Sequence, residues 1–267
     1  MEARLVNLSD TISVRRLGRL LRRDFSVGYK SVFIAMAAVG GFVILVSVLS
    51  ALGRELGTIH FQLYFPLLFI GGFIVTSMIF KEVHLNGQSV FYLTLPGSSL
   101  EKFLSKLLVT SLGYAFGSLF FYTAVSSAAE GINRVIFGYG HSFFNPFQRD
   151  ILLAVAAYVV TQAVFLVGSV YFRKLAFIKT SLYLVLFGIV LTIVVAVVGW
   201  IIFHDFAVGS HIRLEPYMEE LGRSGEMEAV LRPMAEKFLK VAKVLFWGAG
   251  APVCWIISYL RLRETEV

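Results

Sequence analysis

Few residues in this sequence combine the types and spacing that chemistry requires. The string GHSF at residues 140–143 sets Ser142 in a Gly-x-Ser-x pattern, with His204 and His211 as notional bases for a serine nucleophile. The HExxH ligand set of metalloproteases does not occur, and neither does the GxxxxGK[ST] loop that cradles phosphates. We therefore expect no catalytic residues and no metal site, and any ATP and Mg²⁺ would bind to another chain.

The GHSF string is similar to the GxSx nucleophile motif of rhomboid proteases. In those enzymes the serine begins a helix within the membrane, whereas Ser142 is expected in an outer loop before the fourth apolar segment. A polar loop is the ordinary explanation of the string. A membrane-embedded enzyme of lipid or peptide chemistry therefore stays open only as the weakest of the functions that the sequence suggests.

Ionisable side chains are missing from the middles of the apolar segments. Burying such a charge in hydrocarbon is expensive, so an intramembrane Asp, Glu, Lys or Arg would mark an ion site or a proton relay. Their absence argues against a proton- or sodium-coupled transporter and against a voltage sensor. The single cysteine, Cys254, has no second thiol with which to form a disulfide or a CxxC site.

The composition indicates a membrane protein. Hydrophobic residues make up 57% of the 267 residues and charged residues only 15%, against about 25% charged in soluble domains. Six continuous apolar segments each approach the roughly 20 residues that a transmembrane helix needs. They cover residues 31–52, 61–80, 103–126, 150–172, 180–203 and 244–260. We predict an all-α fold in which residues 1–267 form one polytopic membrane domain.

The net charge of +7 comes from Lys and Arg residues that lie mainly at the ends of the apolar segments. This position indicates phospholipid headgroups rather than nucleic acid as their partner. More than half of the 24 Lys and Arg residues fall on one side when the loops are assigned alternately. Because the cytoplasmic side collects basic residues, both termini are expected there. The first 30 residues lack the pattern of a cleavable signal, so the first span is expected to serve as an uncleaved anchor.

Residues 11–27 predict an amphipathic helix at the membrane interface. Val14, Leu17, Leu21 and Phe25 form one helical stripe, and a strongly basic face lies beside it. The alternative is a disordered basic tail that only enforces topology. The basic residues of this predicted elbow helix are Arg15, Arg19, Arg22 and Arg23.

Residues 82–97, between the second and third segments, are too polar to span and too apolar for a simple loop. Pro96 and Gly97 predict a turn, after which Ser98 or Ser99 would cap the next helix. The apolar side chains of this segment are expected to form a cytoplasmic contact surface, the alternative being that they pack on the membrane or on helix ends. These side chains are Val90, Phe91, Leu93 and Leu95.

Residues 204–243 form the longest outer connection, and apolar residues recur there at three- and four-residue steps. This spacing predicts an amphipathic outer helix that runs into the sixth span. Such a helix would lie on the outer leaflet or cap the bundle.

The layout of the whole chain resembles the permease subunit of an ATP-binding cassette (ABC) transporter of the type 2 or export class. The shared features are the basic elbow helix, six spans, a coupling element between spans two and three, and a long outer segment before span six. The string FYLTLPGSSLEKFLSK looks like bacterial members of the group. The matching residues of the loose family pattern are Glu82, Gly87, Leu93, Leu95, Pro96, Ser98 or Ser99, and Lys106.

The resemblance implies that separate ATPase subunits dimerise on binding ATP and push on the permease. The apolar residues of the coupling element would dock in the ATPase, and Lys81, Glu82 and Glu101 would form a polar rim. Six spans are half a transporter of this class, so a second copy or a related permease is implied as partner, in a bacterial cytoplasmic membrane. The implied activity is export of an amphipathic, lipid-like or peptide substrate. The main alternative is a non-transporting sensor or assembly factor that responds to an ATPase.

Overall fold

The regular structure of the chain is helical throughout the part that the structure describes. The structure is a computed structural model that describes residues 13–53, 59–84, 97–208, 236–237 and 240–266. The predicted all-α fold class is confirmed for these ranges. The α-helices are α1 Val14–Leu52, α2 Ile59–Pro66, α3 Gly72–Met78, α4 Lys81–His84, α5 Ser99–Leu108, α6 Tyr114–Phe137, α7 Arg149–Tyr171, α8 Ala176–Val208 and α9 Ala251–Glu266.

Six helical stretches of the described residues are long and apolar enough to cross a bilayer. Their number agrees with the prediction and is compatible with a multi-pass membrane protein. The stretches are Val32–Leu52, Ile59–Val83, Ser99–Phe137, Arg149–Tyr171, Ala176–Val197 and Lys240–Glu264.

The third stretch is longer than the predicted segment at 103–126. Its helix continues to Phe137, where Gly138 adopts the left-handed conformation with φ of 75° and ends it. The prediction stopped early because polar residues lower the hydropathy beyond residue 126, although they do not interrupt the helix. One consequence is that Glu130 lies inside a candidate span.

Helix α1 is continuous over 39 residues, and the residues of the predicted elbow helix from Val14 onward belong to it. At 1.5 Å per residue its length is about 58 Å, well beyond the roughly 30 Å of a hydrocarbon core. Part of an upright α1 would therefore lie outside the hydrocarbon. That the basic part lies along the interface stays a prediction.

The chain divides into two compact units, Met1–Phe177 with Ala251–Val267, and Ile178–Gly250. The first unit contains α1 to α7 and α9, and its central core is built from aromatic and aliphatic side chains of several helices. In the second unit, α8 exposes apolar side chains around its circumference, as expected of a helix in a membrane. The buried residues of the central core are Val43, Tyr64, Leu68, Ala115, Tyr122, Ile151, Ala154 and Tyr158.

Two π-helical turns interrupt long helices of the first unit, and a tyrosine hydroxyl donates a hydrogen bond to each one. The turn Leu67–Gly71 joins α2 to α3, and the Tyr114 hydroxyl donates to its Leu67 carbonyl at 2.6 Å. The turn Val109–Gly113 joins α5 to α6, and the Tyr158 hydroxyl donates to its Thr110 carbonyl at 2.7 Å. A π-turn shifts the regular helical hydrogen bonds, so these hydroxyls satisfy carbonyl groups at the displaced positions.

Glycines let the tyrosines approach the second span closely. A Cβ added to Gly71 would overlap the Tyr114 hydroxyl, and one added to Gly72 would overlap the Tyr158 ring. Close packing of these tyrosines on the second span therefore requires residues without a side chain at positions 71 and 72.

Candidate functional site

Charged side chains gather where the start of α1 meets α4 and α5, on both sides of residues 85–96. We call this group the charged cluster. Its members are Arg16, Arg23 and Asp24 of α1, Glu82 of α4, and Glu101 and Lys106 of α5.

The centre of the charged cluster is an ion pair between α1 and α5. Lys106 Nζ donates to Asp24 Oδ1 at 2.9 Å, and Ser105 Oγ donates to Asp24 Oδ2 at 2.9 Å. The side chains of Lys106 and Asp24 are each only 7% exposed. Because both carboxylate oxygens are hydrogen-bonded, the buried charge is well compensated as long as both partners are present.

Glu101 ties the beginning of α5 to the beginning of α1. Its Oε1 accepts from the Ser13 backbone N–H at 2.7 Å and from Arg16 Nε at 3.2 Å. Its Oε2 accepts from the Ser98 backbone N–H at 3.1 Å, while the Ser98 hydroxyl accepts from the Glu101 N–H at 3.2 Å. This capping box confirms the predicted helix start at Ser98.

The buried position of Glu101 corrects one expectation. The resemblance placed Glu101 on a polar rim open to a partner, but its side chain is completely buried and is used by Ser13, Arg16 and Ser98. Lys81 is exposed, so it remains available to a partner.

Glu82 connects the other end of residues 85–96 to the same cluster. Its Oε2 lies 3.6 Å from Arg23 Nη2 and 3.8 Å from Lys106 Nζ. Residues 85–96 are thus flanked on one side by Glu82 and on the other by Ser98 and Glu101, all of which contact α1 or its partners.

The structure brings only part of the predicted site together. Arg23 and Glu82 meet in the charged cluster, whereas the other predicted elbow arginines, Arg15, Arg19 and Arg22, are exposed. The amphipathic pattern of residues 11–27 does not distinguish Arg16 and Asp24 from their neighbours, because their roles depend on partners more than 80 residues away. The remaining predicted docking residues lie outside the described residues; they are Gly87, Val90, Phe91, Leu93, Leu95 and Pro96. Most of the predicted outer segment 204–243 also lies outside them.

A second polar group lies near the other end of α1, and we call it the histidine–glutamate cluster. Arg16 and Ser47, which belong to the two groups, are separated by about 45 Å along α1 at 1.5 Å per residue. The members of the second group are Ser47 and Ser50 of α1, His60 of α2, Tyr122, Glu130 and Asn133 of α6, and His141 of the loop after α6.

One oxygen of Glu130 collects the polar contacts of this cluster. Oε1 lies 2.7 Å from His60 Nε2 and 3.1 Å from His141 Nδ1. Ser47 Oγ donates to it at 2.9 Å, and Asn133 Nδ2 at 3.2 Å. The Glu130 side chain has no solvent exposure, and those of the two histidines have almost none. The cluster therefore concentrates imidazole nitrogens around one buried carboxylate.

The remaining ring nitrogens contact hydroxyl groups. His60 Nδ1 lies 3.3 Å from the Tyr122 hydroxyl, and His141 Nε2 lies 3.2 Å from Ser50 Oγ. The GHSF string did draw attention to this loop, but to the wrong residue, since Ser142 is exposed and His141 points inward.

Ser50, His141 and Glu130 are connected in the order of a serine–histidine–acid triad. Acyl transfer also needs N–H donors that stabilise the oxyanion beside the nucleophile. Ser50 lies within α1, where the adjacent backbone N–H groups belong to the helical hydrogen-bond pattern. The surroundings of Ser50 therefore do not favour a hydrolase.

Comparison with known proteins identifies no relative of this chain. No protein-family model matches the sequence, and neither a curated protein nor a solved structure is similar to it.

Proposed function

We propose that this chain is the membrane-spanning subunit of an ATP-driven transporter of the ABC type, in which separate ATPase subunits supply the energy. The observation that carries the proposal is the charged cluster, which connects α1 to both ends of residues 85–96. Described residues on both flanks of this segment are thus tied to α1, which suits the transfer of force from a cytoplasmic partner to the transmembrane helices.

The buried ion pair of the charged cluster favours movement of α1, α4 and α5 as one rigid body. Removing one partner of a buried ion pair costs about 3–5 kcal/mol, since the other charge is left uncompensated. A push on residues 85–96 would therefore displace α1, α4 and α5 together before it separated Lys106 from Asp24. Rigid-body displacement of this kind is a common way to switch a protein between two states.

The docking surface in this proposal is the apolar part of residues 85–96. Val90, Phe91, Leu93 and Leu95 would enter a groove of the ATPase, with Lys81 and the half-buried Glu82 at its edge. An apolar side chain at the centre of an interface contributes more to binding than the polar residues around it. The charges of Asp24, Glu101 and Lys106 are buried and already paired, which leaves the apolar residues as the main recognition surface in this proposal.

Transport across a bacterial cytoplasmic membrane would require a second copy of the chain or a related permease. In this arrangement both termini are cytoplasmic, and the cargo is amphipathic, lipid-like or peptidic. The apolar span middles support such a cargo over a small ion.

Native extraction tests this proposal. The tagged full-length chain is extracted in mild detergent from membranes of its own host, and proteins that co-purify are identified by mass spectrometry. We expect an ATP-binding subunit whose recovery changes between ATP-bound and nucleotide-free conditions. Recovery of the chain without any ATP-binding protein, under conditions that preserve known membrane complexes, would remove the main support for the proposal.

A further inference from the structure

We propose that His60, Glu130 and His141 form a binding site for a divalent transition-metal ion of the zinc class. The three residues lie on α2, on α6 and in the loop after α6, and all three are buried. This inference does not depend on the proposed transport function, because it uses a different end of the first unit and different residues.

The donor atoms lie close enough together that small side-chain movements would bring them around one ion. His60 Nε2, His141 Nδ1 and a Glu130 oxygen all lie within 4.8 Å of one another. Zinc binds His nitrogen and carboxylate oxygen at about 2.0–2.2 Å, so two ligands of one ion are roughly 3.0–3.6 Å apart. The distance of 3.1 Å from His141 Nδ1 to Glu130 Oε1 already lies in that range, and the distance of 2.7 Å from His60 Nε2 reaches it after a small side-chain rotation.

The chemistry of the donors selects the class of ion. Two imidazoles and one carboxylate form a ligand set used for zinc and for iron, whereas magnesium and calcium prefer oxygen ligands alone. The ligand nitrogens are those that face Glu130. Their second nitrogens would then carry hydrogen and donate to the Tyr122 hydroxyl and to Ser50 Oγ, at the observed 3.3 and 3.2 Å. Hydrogen bonds of this kind orient metal-binding histidines.

Two buried oxygens supply independent support for a cation. Glu130 Oε2 and Asn133 Oδ1 have no hydrogen-bond partner among the described residues. A buried oxygen without a partner costs free energy, and native structures rarely keep one unexplained. Glu130 Oε2 belongs to a ligand residue, and Asn133 donates to the other oxygen of the same carboxylate. A cation coordinated by both oxygens of the Glu130 carboxylate would satisfy Oε2 and offset the buried negative charge.

An ion at this position would add a further link between elements that already share the central apolar core. His141 follows the end of α6, so its coordination would hold the beginning of the 138–148 loop against α2. Ser47 and Ser50 would extend the attachment to α1. The expected role is a clamp at this end of the bundle.

Metal content tests the site directly. The purified full chain is stripped with a chelator, equilibrated with Zn²⁺, freed of excess ion and analysed by elemental mass spectrometry. We expect about one tightly held ion per chain, and loss of that ion in His60→Ala, His141→Ala and Glu130→Gln. Glu101→Gln is the matched control, because it removes the other completely buried carboxylate of the same helical stretch. It should keep the ion.

Thermal unfolding of the unmodified chain tests the site without any substitution, so it applies even if a variant does not fold. We expect Zn²⁺ to raise the Tm of the stripped protein and Mg²⁺ to leave it unchanged, since only an ion bound to the folded state stabilises it. Co²⁺ bound in place of Zn²⁺ should give visible absorption bands typical of nitrogen and oxygen ligands. If Zn²⁺ neither binds nor raises the Tm, or if binding survives all three ligand substitutions, the cluster is only a hydrogen-bonded network and the proposal is wrong.

Discussion

Lys106 Nζ lies 2.9 Å from Asp24 Oδ1, although the two residues are 82 positions apart in the sequence. Their contact joins the basic beginning of α1 to α5, directly after residues 85–96. The side chains of both residues are almost fully buried, so neither charge can be compensated by bulk water. We expect the integrity of this pair to control both the stability of the first unit and its response to a partner.

Lys106→Met should destabilise the chain by about 3–5 kcal/mol, because it leaves the Asp24 carboxylate buried without its cation. The measurement is the free energy of unfolding in detergent or bicelles. The double variant Asp24→Asn with Lys106→Met should recover most of the loss, since it removes both charges.

Lys81→Met is the matched control for that experiment. It removes the same charge from an exposed position in the neighbouring α4, where the expected change is within about 0.5 kcal/mol. Equal effects of the Lys81 and Lys106 substitutions would contradict the importance of the buried pair.

Gly72→Ala should destabilise the chain by about 1–3 kcal/mol, since the new methyl group overlaps the Tyr158 ring. The ring has little room to move, because its hydroxyl is bonded to Thr110 and Phe73 packs against its face. Gly41→Ala is the control, as a Cβ there meets no atom within 4 Å. That variant should be neutral or gain up to about 1 kcal/mol of helix propensity. The measurement is the Tm of the two variants, compared with that of the unmodified chain. An unchanged Tm in Gly72→Ala would count against close packing of Tyr158 on the second span.

Tyr114→Phe should cost about 0.5–1.5 kcal/mol, because it removes the hydroxyl that satisfies the Leu67 carbonyl in the first π-turn. Tyr171→Phe removes a hydroxyl from a residue that is 50% exposed and should have no measurable effect. Chemical denaturation compares the two. An unaffected Tyr114→Phe variant would indicate that another group or water serves the π-turn.

The helices could be predicted from the sequence because each is encoded locally. Continuous apolar runs of bilayer length predict spans, and the turn at Pro96 and Gly97 followed by Ser98 or Ser99 predicts the start of α5. The layout typical of an ABC permease follows from the order of these elements along the chain. None of these inferences needs to know which helices are neighbours.

The two polar clusters could not be predicted, because they depend on contacts between distant residues. Glu130 lies beyond the predicted apolar segment 103–126, and nothing in the surrounding residues indicates that His60, 70 positions earlier, will contact it. In the same way, Arg16 and Asp24 look like ordinary members of a basic terminal segment until α5 is placed beside them. The GHSF string points to Ser142 and gives no role to its neighbour His141.

The central claim is that residues 85–96 dock an ATPase subunit, and a charge placed in the apolar part of this segment tests it most directly. The measurement is the amount of ATP-binding partner that co-purifies with the full chain carrying Phe91→Asp and Leu95→Asp. The control is Ser89→Asp, which adds a charge to the same segment at a position that is already polar. We predict that the double variant loses the partner while membrane insertion and thermal stability are kept, and that the control retains it. Unchanged recovery of the partner with the double variant would contradict the claim.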